Sequence, residues 1–192
     1  MKKTTIFLIA GIVIVLLFLV TSGSITGNVI NNMANDQNTK IKLETSMGDV
    51  VLEIYTKEMP ITGGNFKNLV EKGTYDGVIF HRVIDGFMIQ GGDPTGTGLG
   101  DPSIPKIQDE FTQTPLDKNN RGTISMANAG PNTGSSQFFI NLADNNFLDG
   151  KHPVFGRVIE GMDVLDKIAK VQTNAQDRPL EDIKIIKETV LE

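Results

Sequence analysis

The sequence predicts a mainly β domain, a closed antiparallel barrel capped by two helices and preceded by an N-terminal apolar helix. Three observations lead there. Short runs of apolar and β-branched residues recur from Ile41 onward, separated by glycine, asparagine and aspartate, which is the punctuation of a chain rich in strands. The residues flanking Asp85-Gly86 have the form of a hairpin, because Asp-Gly accepts the positive φ that a tight two-residue turn requires. Beyond the amino-terminal segment, only two stretches carry apolar residues at helical spacing, one near each end of the domain.

Taken in order, the chain opens with Lys2 and Lys3 and an unbroken apolar run from Ile6 to Val20. That run is at the upper end of a signal-peptide core and below the roughly 20 residues that span a bilayer comfortably. Residues 1–24 are therefore read as a signal anchor or a cleaved signal peptide, both of which put the domain outside the cytoplasm with the lysines inside. Residues 25–39 hold Asn28, Asn31, Asn32, Asn35 and Asn38 and little that could form a core. They read as a flexible linker reaching roughly 20 Å.

The domain, residues 40–192, starts with a hairpin of Ile41–Thr45 and Val50–Tyr55 around Met47-Gly48-Asp49. Phe66, Leu69 and Val70 predict a helix within Pro60–Lys72, where Gly63-Gly64 weakens the start by up to about 1 kcal/mol each. The Phe80–Asp93 hairpin follows, then a long loop, Pro94–Arg121. Further strands are expected at Gly122–Met126, Gln137–Leu142, Val154–Ile159 and Ile183–Val190, with a helix over Met162–Val171. The Gly96–Gly100 stretch lacks both the dinucleotide-loop spacing and a Walker lysine, so it reads as a permissive loop edging a groove.

Composition narrows the function. A formal charge of −5, falling to −7 without Lys2 and Lys3, argues against nucleic acid as a partner. With no cysteine there is no disulfide framework, no thiolate nucleophile and no lipid-modified amino terminus. Length suits a single domain, taken as a monomer.

The stretch Phe80-His81-Arg82-Val83-Ile84-Asp85-Gly86-Phe87-Met88-Ile89-Gln90-Gly91-Gly92-Asp93 holds a permanent cation among apolar residues. Alternation places Phe80, Arg82 and Ile84 on one face, Met88 and Gln90 on one face of the returning strand, and His81 away from Arg82 as a structural residue. A strand arginine usually covers apolar surface with its stem and keeps its head in water. The alternative is a cation fixed beside an apolar pocket, with Gln90 as a second polar handle. Two further blocks bear on the choice: Gly122–Ile140, containing Met126-Ala127-Asn128-Ala129-Gly130 and Ser136-Gln137-Phe138-Phe139, and Phe147-Leu148-Asp149-Gly150-Lys151-His152-Pro153. In content and order these blocks resemble the cyclophilin family of peptidyl-prolyl cis/trans isomerases, from about Ile41 to the C-terminus.

The resemblance implies an eight-stranded barrel and an enzyme that needs no cofactor or metal. It implies Arg82 and Gln90 as catalytic residues, with Phe87, Met88, Phe139 and Leu148 around the proline ring. Ala127, Asn128 and Ala129 would meet the extended peptide, and Gln137, Phe147 and His152 would line the rim. Phe147 departs from well-known eukaryotic cyclophilins, which have tryptophan there, so weak cyclosporin binding is expected. The chemistry suits these residue types. Peptide rotation faces a barrier of about 18–20 kcal/mol, and a fixed donor near the prolyl nitrogen would localise the lone pair that resonance spreads. Proline-containing polypeptides, exported or unfolded, are the expected substrates, and folding assistance the expected role. The rival reading is a binding module in which the same groove holds proline segments without needed turnover. A metal site on His81 and His152, or a serine hydrolase, finds no supporting motif.

Overall fold

The computed structural model describes residues 38–191, which form one compact unit. The expected signal or anchor, and the linker up to residue 37, lie outside the described residues. Among the described residues no helix is long and apolar enough to cross a membrane.

The elements run β1 (Thr39–Thr45), β2 (Gly48–Ile54), α1 (Thr62–Glu71), β3 (Arg82–Ile84), β4 (Met88–Gly91), β5 (Thr123–Met126), β6 (Phe138–Asn141), a 3-10 turn at Asn146–Leu148, β7 (Val154–Glu160), α2 (Met162–Ile168) and β8 (Ile185–Leu191). Every expected strand and both expected helices are present, with ends shifted by a few residues. The eight strands make one curled sheet in the order β3-β4-β6-β5-β7-β2-β1-β8, all pairs antiparallel. The ladder does not close into the expected ring. β3 and β8 remain its ends, and the segment before β3 approaches β8 instead, through an Ile79–Lys184 bridge and the bonds Phe80 N–H to Ile183 O (2.9 Å) and Ile185 N–H to Val78 O (2.8 Å).

Alternation decides what the sheet encloses. Val83, Ile89, Ile124, Phe138 and Ile140 point inward and are 0–2 % exposed, which leaves their neighbours Arg82, Gln90 and Phe139 on the opposite face. Inside, Phe66 of α1 packs its ring 5.2–5.4 Å from those of Tyr75, Phe138 and Phe155. α1 lies against β7 and β8, and α2 against β2. The glycine pair does not delay α1. A Cβ on Gly63 would come within 3.2 Å of Tyr55 O and Ile54 Cγ2, so glycine lets the first turn sit tightly on β2. The N–H groups of Ile61 and Thr62, which have no partner within the helix, donate to the Glu110 carboxylate at 3.0 and 2.9 Å, a cap supplied from the long loop.

Two features of the central hairpin differ from expectation. Its turn holds three residues, Asp85-Gly86-Phe87, because Ile84 pairs with Met88; Gly86 takes the positive φ, +71°. Phe87 thereby leaves the strand. Phe80, expected beside Arg82, is instead in the core at 1 % exposure, because the backbone ahead of Arg82 is not yet strand and the alternation does not extend back through His81.

Candidate active site

The site grows from strand register. Arg82 pairs with Gln90, and Gln90 with Phe139, so one row across β3, β4 and β6 carries a cation, an amide and an aromatic ring on one face. Met88 lies two residues from Gln90 and therefore on the same face. The 3-10 turn brings Leu148, and the segment after β5 brings Ala127 and Asn128. Together with Phe87 and His152 these residues line a cavity of about 290 Å3. Its floor is apolar and buried, Met88 at 2 % and Phe139 at 5 % exposure.

Ala129 and Gln137 line an adjoining groove of about 910 Å3, which shares Gln90, Ala127 and Asn128 with the smaller cavity. Phe147 lines neither. It stands 63 % exposed beside the smaller cavity, stacked on Phe87 with ring centroids 5.9 Å apart. The sequence-predicted residues thus converge on one surface, where two cavities divide all of them but Phe147.

Hydrogen bonds hold the polar members in place. Gln90 Nε2 donates to Gln137 Oε1 at 2.9 Å, and Gln137 Nε2 donates to Gly98 O at 3.1 Å, tying the groove edge to the glycine-rich loop. Asp93 organises that loop by accepting from Thr95, Thr97, Gly98 and Gly100. Burial alone would raise its carboxyl pKa, yet these bonds hold it below the usual range. The His152 ring pairs with Met126 O through Nδ1 at 3.1 Å and meets Phe139 edge to face. Asn128 Nδ2 donates to Lys151 O at 2.8 Å.

Sequence reasoning missed Asp177. Arg82 Nε donates to its carboxylate at 3.3 Å, and among the described residues this is the one hydrogen bond of the guanidinium. Val83 N–H in turn donates to Asp177 O at 2.8 Å, so β3 itself fixes the acid that orients its arginine. Among the described residues the terminal nitrogens of Arg82 have no partner.

Over residues 40–190 the sequence matches the profile of the family described as cyclophilin type peptidyl-prolyl cis-trans isomerase/CLD. The chain belongs to the cyclophilins. Among similar proteins, peptidyl-prolyl cis-trans isomerase ppi1 of Schizosaccharomyces pombe is 52 % identical over 153 residues, covering 79 % of this chain and 98 % of the relative. Human peptidyl-prolyl cis-trans isomerase-like 1 is 52 % identical over 152 residues, covering 79 % and 92 % respectively. A cyclophilin type isomerase of Cryptosporidium parvum, solved in the presence of the dipeptide Ala-Pro, superposes with a TM-score of 0.75 at 35 % identity, covering 80 % of this chain and 99 % of that one. This cyclophilin is accordingly a peptidyl-prolyl cis-trans isomerase, EC 5.2.1.8.

A buried polar network under the cyclophilin site also escaped the sequence. Asn145 Nδ2 donates to Phe87 O (2.9 Å) and to Asn141 Oδ1 (2.8 Å); Asn141 Nδ2 reaches Ser125 Oγ (3.2 Å), and Ser125 donates to Asn119 Oδ1 (2.8 Å). The four residues are at most 4 % exposed. By satisfying one another they fix the turn carrying Phe87 and the segment leading to Leu148 from beneath. The available signal was asparagine crowded around the strand ends, at Asn119, Asn141 and Asn145.

Proposed function

We propose that this cyclophilin accelerates rotation about X-Pro bonds in exported or unfolded polypeptides on the outer side of the cytoplasmic membrane and so assists their folding, acting as a monomer. The observation that carries the catalytic part is the row Arg82-Gln90-Phe139 beside an apolar cavity of about 290 Å3, a volume suited to a proline ring and its flanking peptide. Phe87, Met88, Phe139 and Leu148 hold the ring, and Gln90 holds a substrate carbonyl. Asn128 and its two alanine neighbours bond the extended main chain. Arg82 donates toward the prolyl nitrogen, which is pyramidal and basic only when the amide is twisted. The reaction therefore needs no covalent intermediate and no proton transfer. Location outside the cytoplasm is supported by Lys2, Lys3 and the apolar run Ile6–Val20.

The test is exchange NMR on a proline peptide with the full chain and with Arg82→Ala. A loss of about 3 kcal/mol of transition-state stabilisation corresponds to roughly a hundredfold lower kcat at nearly constant affinity. Equal falls in affinity and turnover would favour a binding module. Protease added to intact, wall-stripped cells should digest the domain; protection until lysis would refute the assigned location.

A further inference from the structure

Beside the smaller cavity lies another of about 520 Å3, and the two share Arg82 and Gln90. The remaining polar lining is His81, Asn174, Gln176 and Arg178, with the Gly96–Leu99 loop closing one side. Sequence alternation set His81 apart from Arg82, but the irregular backbone before β3 brings both side chains to this cavity.

Two features give the cavity a preference in charge. Arg82 and Arg178 each engage an acid through one nitrogen, Asp177 at 3.3 Å and Asp182 at 3.2 Å, and Arg178 also donates Nη1 to Gly96 O at 3.1 Å, yet neither carboxylate lines the cavity. An occupant therefore meets two guanidinium groups and three side-chain amides, Gln90, Asn174 and Gln176, and no acid. His81 is the second feature. It is only 8 % exposed, and neither ring nitrogen has a hydrogen-bond partner among the described residues. A buried polar group without a partner is costly, and its presence at a cavity wall points to a polar occupant.

We infer that this cavity is a subsite for an acidic side chain of the polypeptide substrate, close in sequence to the proline being isomerised; the inference rests on the isomerase reading above. Extended chain advances about 3.3 Å per residue, so a side chain about one to three residues from the proline crosses the shared Arg82-Gln90 wall into it. Arg178 and Arg82 donate to the carboxylate, and Asn174 and Gln176 complete its polar shell. A lysine side chain in the same place would lose water to face two cations.

The test uses the full chain and peptides with an Ala-Pro centre in which glutamate, glutamine, alanine or lysine stands one, two or three residues from the proline on either side. Exchange NMR gives kcat/KM, and titration gives affinity. At one of these positions glutamate should exceed lysine by about tenfold, equivalent to about 1.4 kcal/mol. The ratio should fall toward one in Arg178→Met and reverse in Gln176→Glu, which puts an acid into the lining, and it should shrink with salt. Turnover of the alanine peptide with no glutamate–lysine difference at any position would overturn the subsite alone. So would a ratio unchanged in both variants. If no peptide is turned over, the isomerase reading fails, and the glutamate–lysine ratio in affinity then decides the subsite by itself.

Discussion

Asp177 and Phe147 are the residues whose neighbours make the sharpest demands. The bond from Arg82 Nε to Asp177 leaves the terminal guanidinium nitrogens for substrate, so Asp177 acts by positioning. Both side chains are about two-fifths exposed, 43 % and 42 %, where an ion pair contributes at most about 1 kcal/mol. Asp177→Ala is therefore expected to lower kcat about threefold to fivefold with KM nearly steady, and to cost nothing further in an Arg82→Ala background. An equal loss in both backgrounds, read in the same exchange assay, would place its role elsewhere. Phe147 keeps an aromatic wall by stacking on Phe87, but it lacks an indole N–H. Cyclosporin binding should accordingly be weaker than in tryptophan-bearing cyclophilins, since a lost neutral hydrogen bond costs about 1 kcal/mol or more when its acceptor stays buried. Phe147→Trp should tighten the inhibitor by roughly tenfold, about 1.4 kcal/mol, with turnover of small peptides preserved. Calorimetric titration checks this, and an unchanged affinity would rule out a place for Phe147 in the inhibitor's contact.

At the level of elements, β8 carries a buried acid into its junction with the end of α1. Glu188 is 6 % exposed; its Oε1 accepts from Tyr75 N–H at 2.8 Å, while its Oε2 has no partner among the described residues. Burial raises its pKa to about 7, with the Tyr75 bond opposing and the nearby Asp76 charge assisting. Folding thus raises this pKa from 4.5, and the stability it contributes is complete below pH 4.5 and lost as pH rises through about 7. The loss is on the order of 3 kcal/mol. Urea midpoints at pH 5 and pH 8 should converge in Glu188→Gln relative to the unaltered chain, and a slope the same in both would refute the assignment. This acid also marks what a sequence can reveal. Strand alternation was readable because Val83, Ile89 and Ile140 follow one local period, and the same period set Arg82, Gln90 and Phe139 together on the opposite face. Glu188 carries no local sign of its partner Tyr75, which is 113 residues away. Glu110 capping α1 from 48 residues off and Asp177 reaching Arg82 across 95 are hidden for the same reason. The Asn119-Ser125-Asn141-Asn145 network was obscured differently, because asparagine ordinarily seeks water and here finds its partners in other buried amides.

For the whole molecule, the decisive question is how much chain the isomerase unit needs. The family profile begins at residue 40, and residues 38–191 form a compact unit by themselves. The region of similarity covers 98 % of the fission yeast relative, so in that protein a chain of this extent stands nearly alone. Residues 38–192 should therefore fold and turn over a proline peptide within about twofold of the full chain, a difference of only about 0.4 kcal/mol in barrier. Eight residues further on, the outcome changes. β1 (Thr39–Thr45) lies between β2 and β8 in the sheet, pairs with both, and buries Ile41 and Leu43 to 0–1 % exposure. Removing it forfeits about 1.5–3 kcal/mol for each of those side chains and strips two ladders of their partner, against a total stability of about 5–15 kcal/mol. A fragment beginning at Ser46 should lack cooperative thermal unfolding and any turnover. The two fragments are to be compared by circular dichroism melting and exchange NMR. A folded, active chain without β1 would show that the sheet can close on β2 directly, and an inactive chain beginning at Asn38 would assign residues 1–37 a part in the fold or the site.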